Sequence, residues 1–592
     1  MTHAVARHHN AVEVVATVTV RLAAGILLVF LTLGAARGEE SGVTAYLSPE
    51  VLNSHVIFSR ACSKIIYSSN RDGHVRPFVV DMSDPARPRS SAVSVGEPGD
   101  FVAQALAPDC QTLALVTDHN GSGLFEIYLY DLRRRALYNV TNTPKVDEGH
   151  PLFFGPHGRL LAYLSGGRLS LYDRTLSTHL ELPSTSTRFQ SIAASESGGS
   201  LYLEDEGTNI WLYEMRPRLF RKIWEAPRLS YSPRMISEHR GHLLFVSDHE
   251  SDFAQIYDFN VHDKSLKRLY PSSHDQYSPE VQREGQCTFR TNVDGNFIAG
   301  ELRGGRYTPI SPNTGVVYDF SLDFGTPVLL YSNDRIPTSL VRVIGGEPTP
   351  LLPSTFAARQ PAAIPVRNAD GMTNFLYLPS GSPKRWLIWL HGGPHEQVSP
   401  RFNLYFDFLC KRGIAVYAIN YPGSTGIGNS YAMRRVGQAQ SIQIRLQAIE
   451  RDINQLRQLH HEISSLMLVG VSYGSLLGHL LVAKHPEITR FVDFSGIAAV
   501  GAVPGLQVEA RPYPPMLFVY GENDVVLREP GRLDLISQYE SRSSVRRLVL
   551  AGEGHFIQRR SDVDSILREL DHFLAPAQQP GAETRKAGPH KP

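Results

Sequence analysis

Leu466-Met467-Leu468-Val469-Gly470-Val471-Ser472-Tyr473-Gly474-Ser475-Leu476-Leu477 is the stretch on which the fold turns. Leu466 to Val469 predict a buried strand, and the apolar run from Leu476 to Lys484 predicts a helix. Between them stand Gly470-Val471-Ser472-Tyr473-Gly474. A strand-to-helix turn of this kind lifts a serine onto a tight bend, and flanking glycines let the backbone pass without side-chain clashes. A serine hydroxyl becomes a useful nucleophile once a neighbouring base takes its proton.

Reading outward, Trp386 to Leu390 and Ile414 to Ile419 are continuous apolar runs, as strands buried on both faces should be, and Met516 to Tyr520 and Val545 to Leu550 are further strands. Ile442, Leu446, Ile449, Ile453 and Leu456 form one helical stripe, and Val563, Ile566, Leu567, Leu570 and Phe573 another. Strands alternating with helices predict a doubly wound parallel sheet over residues 365–575. Such sheets place their sites beyond strand C-termini. Asp524 follows the Met516 strand in Gly521-Glu522-Asn523-Asp524, and His555 follows the Val545 strand in Gly552-Glu553-Gly554-His555. Serine, acid and histidine in that order match an α/β-hydrolase domain. Ser472, Asp524 and His555 are therefore the expected catalytic triad, with Glu522 the rival for the acid. His391-Gly392-Gly393-Pro394 follows the first strong strand. The backbone N–H groups of Gly393 and Tyr473 are the expected oxyanion hole; that these glycines merely turn the chain stays open.

Residues 44–350 read differently. Short β-branched and aromatic runs alternate with Asp/Asn-Gly turns, as in Ile65 to Gly73 and in Leu113 to Leu132. Seven such units begin near 57, 101, 151, 188, 231, 277 and 317. A strand period of roughly 40–50 residues predicts a β-propeller, here seven-bladed. A pair of β-sandwiches is the alternative. Residues 351–364, rich in Pro and Ala, form the expected linker, and the tail 576–592, without apolar periodicity, is expected to be disordered.

The chain has 592 residues, with 59 basic against 58 acidic side chains and a net charge of +1. That balance offers no basic surplus for nucleic acid. Four cysteines are too few for a disulfide framework. Cys62 and Cys110 can pair if neighbouring strands bring them together, and Cys287 and Cys410 read as buried thiols. His460-His461-Glu462 lacks the one-turn spacing of zinc hydrolases, so no metal or cofactor is expected. Within residues 1–38 the charge-free run Leu22 to Leu33 leads into Gly34-Ala35-Ala36, predicting a signal peptide and hence export to a periplasmic or extracellular location. An uncleaved membrane anchor from Ala11 to Leu33 is the alternative. Asn120-Gly121-Ser122 and Asn139-Val140-Thr141 fit glycosylation acceptors.

The motifs HGGPH (391–395), GVSYGS (470–475), GENDVV (521–526) and GEGHF (552–556), behind a strand-rich half, resemble the prolyl oligopeptidase family of serine peptidases, and within it the acylaminoacyl-peptidase and dipeptidyl-peptidase-like branch. NYPGSTGIG (420–428) resembles that branch's asparagine–tyrosine–arginine–glycine–serine loop, and Asp370-Gly371 before Leu376 to Pro379 resembles the start of its catalytic domain. The resemblance implies a propeller stacked on a hydrolase, with short peptides as substrates. A carboxylesterase-type hydrolase and a catalytically inactive binding protein are the other readings. Three departures stand out. Pro422 replaces the usual arginine, Ser475 stands where a second glycine often follows, and the Ser472–Asp524 segment is short, which puts sheet-edge or site-covering structure in doubt. Glu204-Asp205-Glu206 is the one acidic cluster of the strand-rich half that could stand in for a substrate-amine grip, or it is a turn.

Overall fold

The computed structural model describes residues 56–576, apart from 97–99, 119–124, 143–147, 227–235, 284–285, 354–360, 433–438, 499–507, 510 and 526–530. The expected signal segment, the Asn120 acceptor and all but the first residue of the expected tail lie outside these residues. Among the described residues no helix is long and apolar enough to cross a membrane.

The first half is all β. Five four-stranded antiparallel meanders begin at Val56, Asp100, Glu148, Phe189 and Ile236. Two more, beginning at Gln276 and Val316, are joined by the single parallel pair Phe297–Val316. Strand alternation explains how they stack. In Thr112–Asp118, Leu113 and Leu115 pack toward Ile66 and Phe101, while Ala114 and Val116 pack toward Leu161 and Tyr163 of the next sheet. Each meander thus shares one apolar cluster with its predecessor and one with its successor. The pattern also joins the last to the first, since Val56, Ile65 and Tyr67 pack with Val316, Val328 and Leu330. Cys62 and Cys110 form a disulfide between the first two meanders. Cys287 and Cys410 are buried free thiols.

The second half is a sheet between two helical layers. Its strands, counted within this domain, are β1 (Ile364–Arg367), β2 (Thr373–Tyr377), β3 (Arg385–Leu390), β4 (Ile414–Ile419), β5 (Ser465–Val471), β6 (Ile488–Phe494), β7 (Met516–Gly521) and β8 (Val545–Leu550). Their order is β1-β2-β4-β3-β5-β6-β7-β8, parallel from β4 onward. Ile364, read as the end of the linker, already lies in β1. Leu387 and Trp389 of β3 face α1 (Leu404–Lys411). Trp386, Ile388 and Leu390 face the helix Ala439–Leu459. Each face of a β3-like strand therefore buries its own set of side chains, and burying one such side chain contributes about 1.5–3 kcal/mol. The helix Tyr473–Val482 follows β5, Arg532–Glu540 follows β7, and Arg560–Leu574 closes the chain against the α1 face. The short Ser472–Asp524 segment still carries β6 and β7 of the sheet.

Candidate active site

Ser472 is built by the close approach of β5, the helix after it and β3. Its own backbone takes φ 49°, ψ −111°, in the positive-φ region that a non-glycine residue occupies only when its surroundings enforce it. The flanking glycines serve the need read in the sequence, since they give space rather than an unusual dihedral. A Cβ on Gly474 would stand 2.4 Å from the carbonyl oxygens of Leu390 and His391, and one on Gly470 would stand 2.4 Å from the Cα of Ser475.

His555 and Asp524 reach Ser472 from the ends of β8 and β7. The Ser472 hydroxyl donates to Nε2 of His555 at 3.0 Å, and Nδ1–H of His555 donates to both oxygens of Asp524 at 3.0 Å. Asp524 is only 1% exposed and His555 9%, so the pair is shielded while the serine end meets the cleft. Glu522 accepts the Gly552 N–H instead and does not touch the imidazole. Tyr473 follows Ser472 directly and Gly393 follows Gly392, whose added Cβ would stand 3.4 Å from that of Ser472. Among the described residues no backbone hydrogen bond of a turn, loop or cap uses the N–H of Gly393 or Tyr473.

Two loops are zipped together beside this line. Nδ1–H of His391 donates to the Gly392 carbonyl at 2.6 Å, so its Nε2 accepts from the Ser424 hydroxyl at 2.7 Å. The imidazole stacks on Tyr421 with centroids 4.3 Å apart, and the Tyr421 hydroxyl donates to the His391 carbonyl. Burial drives both His391 and His395 down to about 4, which keeps these rings neutral. Pro422 removes one cation from the loop, and Arg445 brings another. Its guanidinium donates to the Pro422 carbonyl at 2.8 Å and to the Tyr473 hydroxyl at 2.6 Å. The sequence held a signal for Arg445: it sits three residues after Ile442 and four before Ile449, inside the apolar stripe.

Beneath the elbow, Asp493 of β6 accepts from Arg532 at 3.0 Å, and His479 lies at 2.7 Å, all three nearly inaccessible. The Arg532 guanidinium, ahead of the His479 hydrogen bond, offsets burial and holds the Asp493 carboxyl well below its usual range. Ser475 packs into this cluster, where a side chain larger than hydrogen is accommodated by Gly496 opposite. Sequence reading did not single out Asp493, Arg532 or His479. Of Glu204-Asp205-Glu206, the first two end the strand Ser200–Asp205 and the third opens the turn after it: Asp205 accepts the N–H groups of Gly207 and Asn209 and the Trp211 indole, Ser191 donates to Glu204, and Glu206 pairs with Arg188. His460 rests on Trp386 and faces Glu462, and among the described residues no group of side chains could hold a metal ion.

No family model matches the chain. The acylamino-acid-releasing enzyme of Sus scrofa is 32% identical over 118 residues, which are 19% of this chain and 16% of that enzyme. Dipeptidyl aminopeptidase BIII of Pseudoxanthomonas mexicana is 28% identical over 119 residues, 18% of this chain and 16% of its own length. The matched stretch therefore spans less than a fifth of these relatives. Across nearly the whole chain the fold is also that of solved enzymes. Pyrococcus horikoshii acylaminoacyl peptidase gives a TM-score of 0.67 at 12% identity, over 90% of this chain and 97% of that one. A puromycin-hydrolyzing peptidase of Mycobacterium tuberculosis gives 0.70 at 16% identity, over 92% and 97%.

In the matched stretch and in its fold, the chain is similar to enzymes of the prolyl oligopeptidase family. That similarity gives the sequence motifs a common setting, since HGGPH, GVSYGS, the Asp524 of GENDVV and GEGHF all come together around Ser472. It leaves the individual roles of the residues to be argued from their geometry.

Proposed function

We propose that this protein is a serine peptidase of short peptides whose triad is Ser472, His555 and Asp524. The observation that carries the reading is the unbroken hydrogen-bonded line from the serine hydroxyl through both imidazole nitrogens to a buried carboxylate. Ser472 Oγ attacks the scissile carbonyl carbon as His555 Nε2 takes its proton. Asp524 holds the tautomer and stabilises the imidazolium. The Gly393 and Tyr473 N–H groups receive the oxyanion, an interaction that forms fully only in the transition state. Collapse breaks the C–N bond and the leaving amine takes the proton from His555. Water then repeats the cycle to free the acid. No cofactor enters.

The first half is a seven-bladed β-propeller in this reading, supported by the seven meanders and by the apolar cluster that joins the last to the first. Such a ring over the cleft admits short chains and excludes folded proteins. The enzyme acts outside the cytoplasm, supported by the Leu22 to Leu33 run and by the Cys62–Cys110 disulfide, a bond that persists in oxidising compartments.

A fluorophosphonate probe tests the chemistry. Stoichiometric labelling of Ser472 is expected, and Ser472→Ala should lower kcat by several orders of magnitude on every substrate, because triad members act as a unit. Full activity in that variant would overturn the assignment. Turnover of aryl esters with none of a peptide library would make the protein an esterase.

A further inference from the structure

The loop that supplies Gly393 also carries a carboxylate the steps above do not use. Glu396 is anchored through its backbone carbonyl, which accepts the Thr425 N–H at 3.0 Å. A Cβ placed on Gly392 would stand 3.4 Å from the Cβ of Ser472 and 3.8 Å from Oε2 of Glu396. The carboxylate is therefore no farther from the serine Cβ than those two lengths end to end. It is surrounded by protein yet only half-buried, so some of its surface stays accessible. Among the described residues its oxygens accept no hydrogen bond and form no ion pair; Arg401 and His555 act on it only at longer range. Burial raises its proton affinity, as expected for an anion held away from water without a partner. Leaving a buried charge unpaired is costly, and a cleft beside a nucleophile is where substrate can supply the missing cation.

We propose that Glu396 binds the free α-ammonium group of the residue whose carbonyl Ser472 attacks, so that the enzyme is an aminopeptidase releasing single N-terminal residues. The distances favour this cation over others. An α-nitrogen lies about 2.5 Å from its own carbonyl carbon. An ammonium–carboxylate hydrogen bond adds about 2.8 Å. With the serine oxygen bonded to that carbon, the two lengths close the gap between Ser472 and Glu396. One further residue would add about 3.3–3.6 Å and carry the amine past the carboxylate. A lysine or arginine head at the cleavage position reaches farther still. The inference rests on acylation of Ser472.

The test uses the full chain, a panel of aminoacyl 4-nitroanilides with their N-acetyl counterparts, and the isosteric variant Glu396→Gln. The wild type is expected to prefer the free amine. In Glu396→Gln the ratio of kcat/KM for free over acetylated substrate should fall about 10- to 100-fold, the range for a charge-assisted hydrogen bond, mostly through KM. Glu396→Asp, which keeps the charge, should recover part of that ratio. Equal loss on both members of each pair, or a wild type that prefers the acetylated member, overturns the proposal. So does release of dipeptides as the main product, or an effect confined to lysyl and arginyl substrates. Absence of fluorophosphonate labelling at Ser472 overturns the acylation reading and this one with it, whereas labelling without any amine preference overturns only this one.

Discussion

Glu553, two residues before His555, shows how one buried side chain ties the site to pH. It accepts the N–H groups of Gln558 and Arg559 at 3.0 and 2.7 Å, holding the turn that presents His555. Burial, reinforced by the Asp562 carboxylate beside it, raises its pKa from the ordinary 4.5 to about 8. The folded protein therefore keeps a proton on Glu553 that the unfolded chain releases above about 4.5. Because the native state binds more protons, this group's contribution to stability is full below about 4.5 and is lost as pH rises toward about 8. Glu553→Gln keeps an oxygen for the two N–H groups and an amide donor for Asp562, and it cannot titrate. Thermal unfolding followed from pH 5 to 9 should show a shallower alkaline decline in the variant than in the wild type. Parallel curves would refute the assignment. None of this is visible in Gly552-Glu553-Gly554-His555 read as letters, where only the histidine carries an expected role.

Among the elements, legibility followed burial pattern. β4 falls on the residues read as a strand because it is an unbroken apolar or β-branched run, β8 does so although Arg546 and Arg547 interrupt it, and β3 differs by one residue at its start. β6, Ile-Thr-Arg-Phe-Val-Asp-Phe, escaped because Arg490 and Asp493 interrupt its pattern. Asp493 is nevertheless buried, paired with Arg532 and His479 from two helices, a tertiary arrangement no local period encodes. Arg445 went unread for another reason: its place inside the helical stripe was a signal, but a charge there reads as a break, whereas here it reaches across to another loop. Ser472, Asp524 and His555 were legible because each follows its own strand, and chain order sorted them. Arg445→Lys tests the loop clamp. Lysine keeps the charge but cannot supply two divergent N–H bonds to the Pro422 carbonyl and the Tyr473 hydroxyl. The expected result is a fall of about 10- to 100-fold in kcat, comparable to displacing an oxyanion donor, with little change in KM. A KM effect alone would place Arg445 in substrate binding instead.

At the scale of the whole molecule, the site depends on how the β domain meets the hydrolase domain. Asp252 accepts the Ser430 N–H and hydroxyl, and Asp275 receives the N–H groups of Gly426 and Gly428, docking the loop that continues from Tyr421. Asn70 of the first meander donates to the Gln558 carbonyl at 2.6 Å, just past His555. That meander closes against the seventh, so its integrity bears on both the ring and the histidine turn. The Cys62–Cys110 disulfide ties it to the second meander across a separation of 48 residues. Cross-linking a loop of that length removes chain entropy from the unfolded state worth about 4 kcal/mol, and measured values for native bridges centre on 2–4 kcal/mol. Cys62→Ser should lower the denaturant midpoint accordingly, with Cys110→Ser and the double variant giving the same loss. Reductant should lower the wild type to the level of these variants and leave the variants unmoved, because Cys287 and Cys410 are buried thiols already reduced. Loss of activity should track loss of the first meander rather than the chemistry, so the folded fraction of each variant should still label at Ser472. A wild type indifferent to reductant, with variants equally stable, would show that packing alone closes the ring.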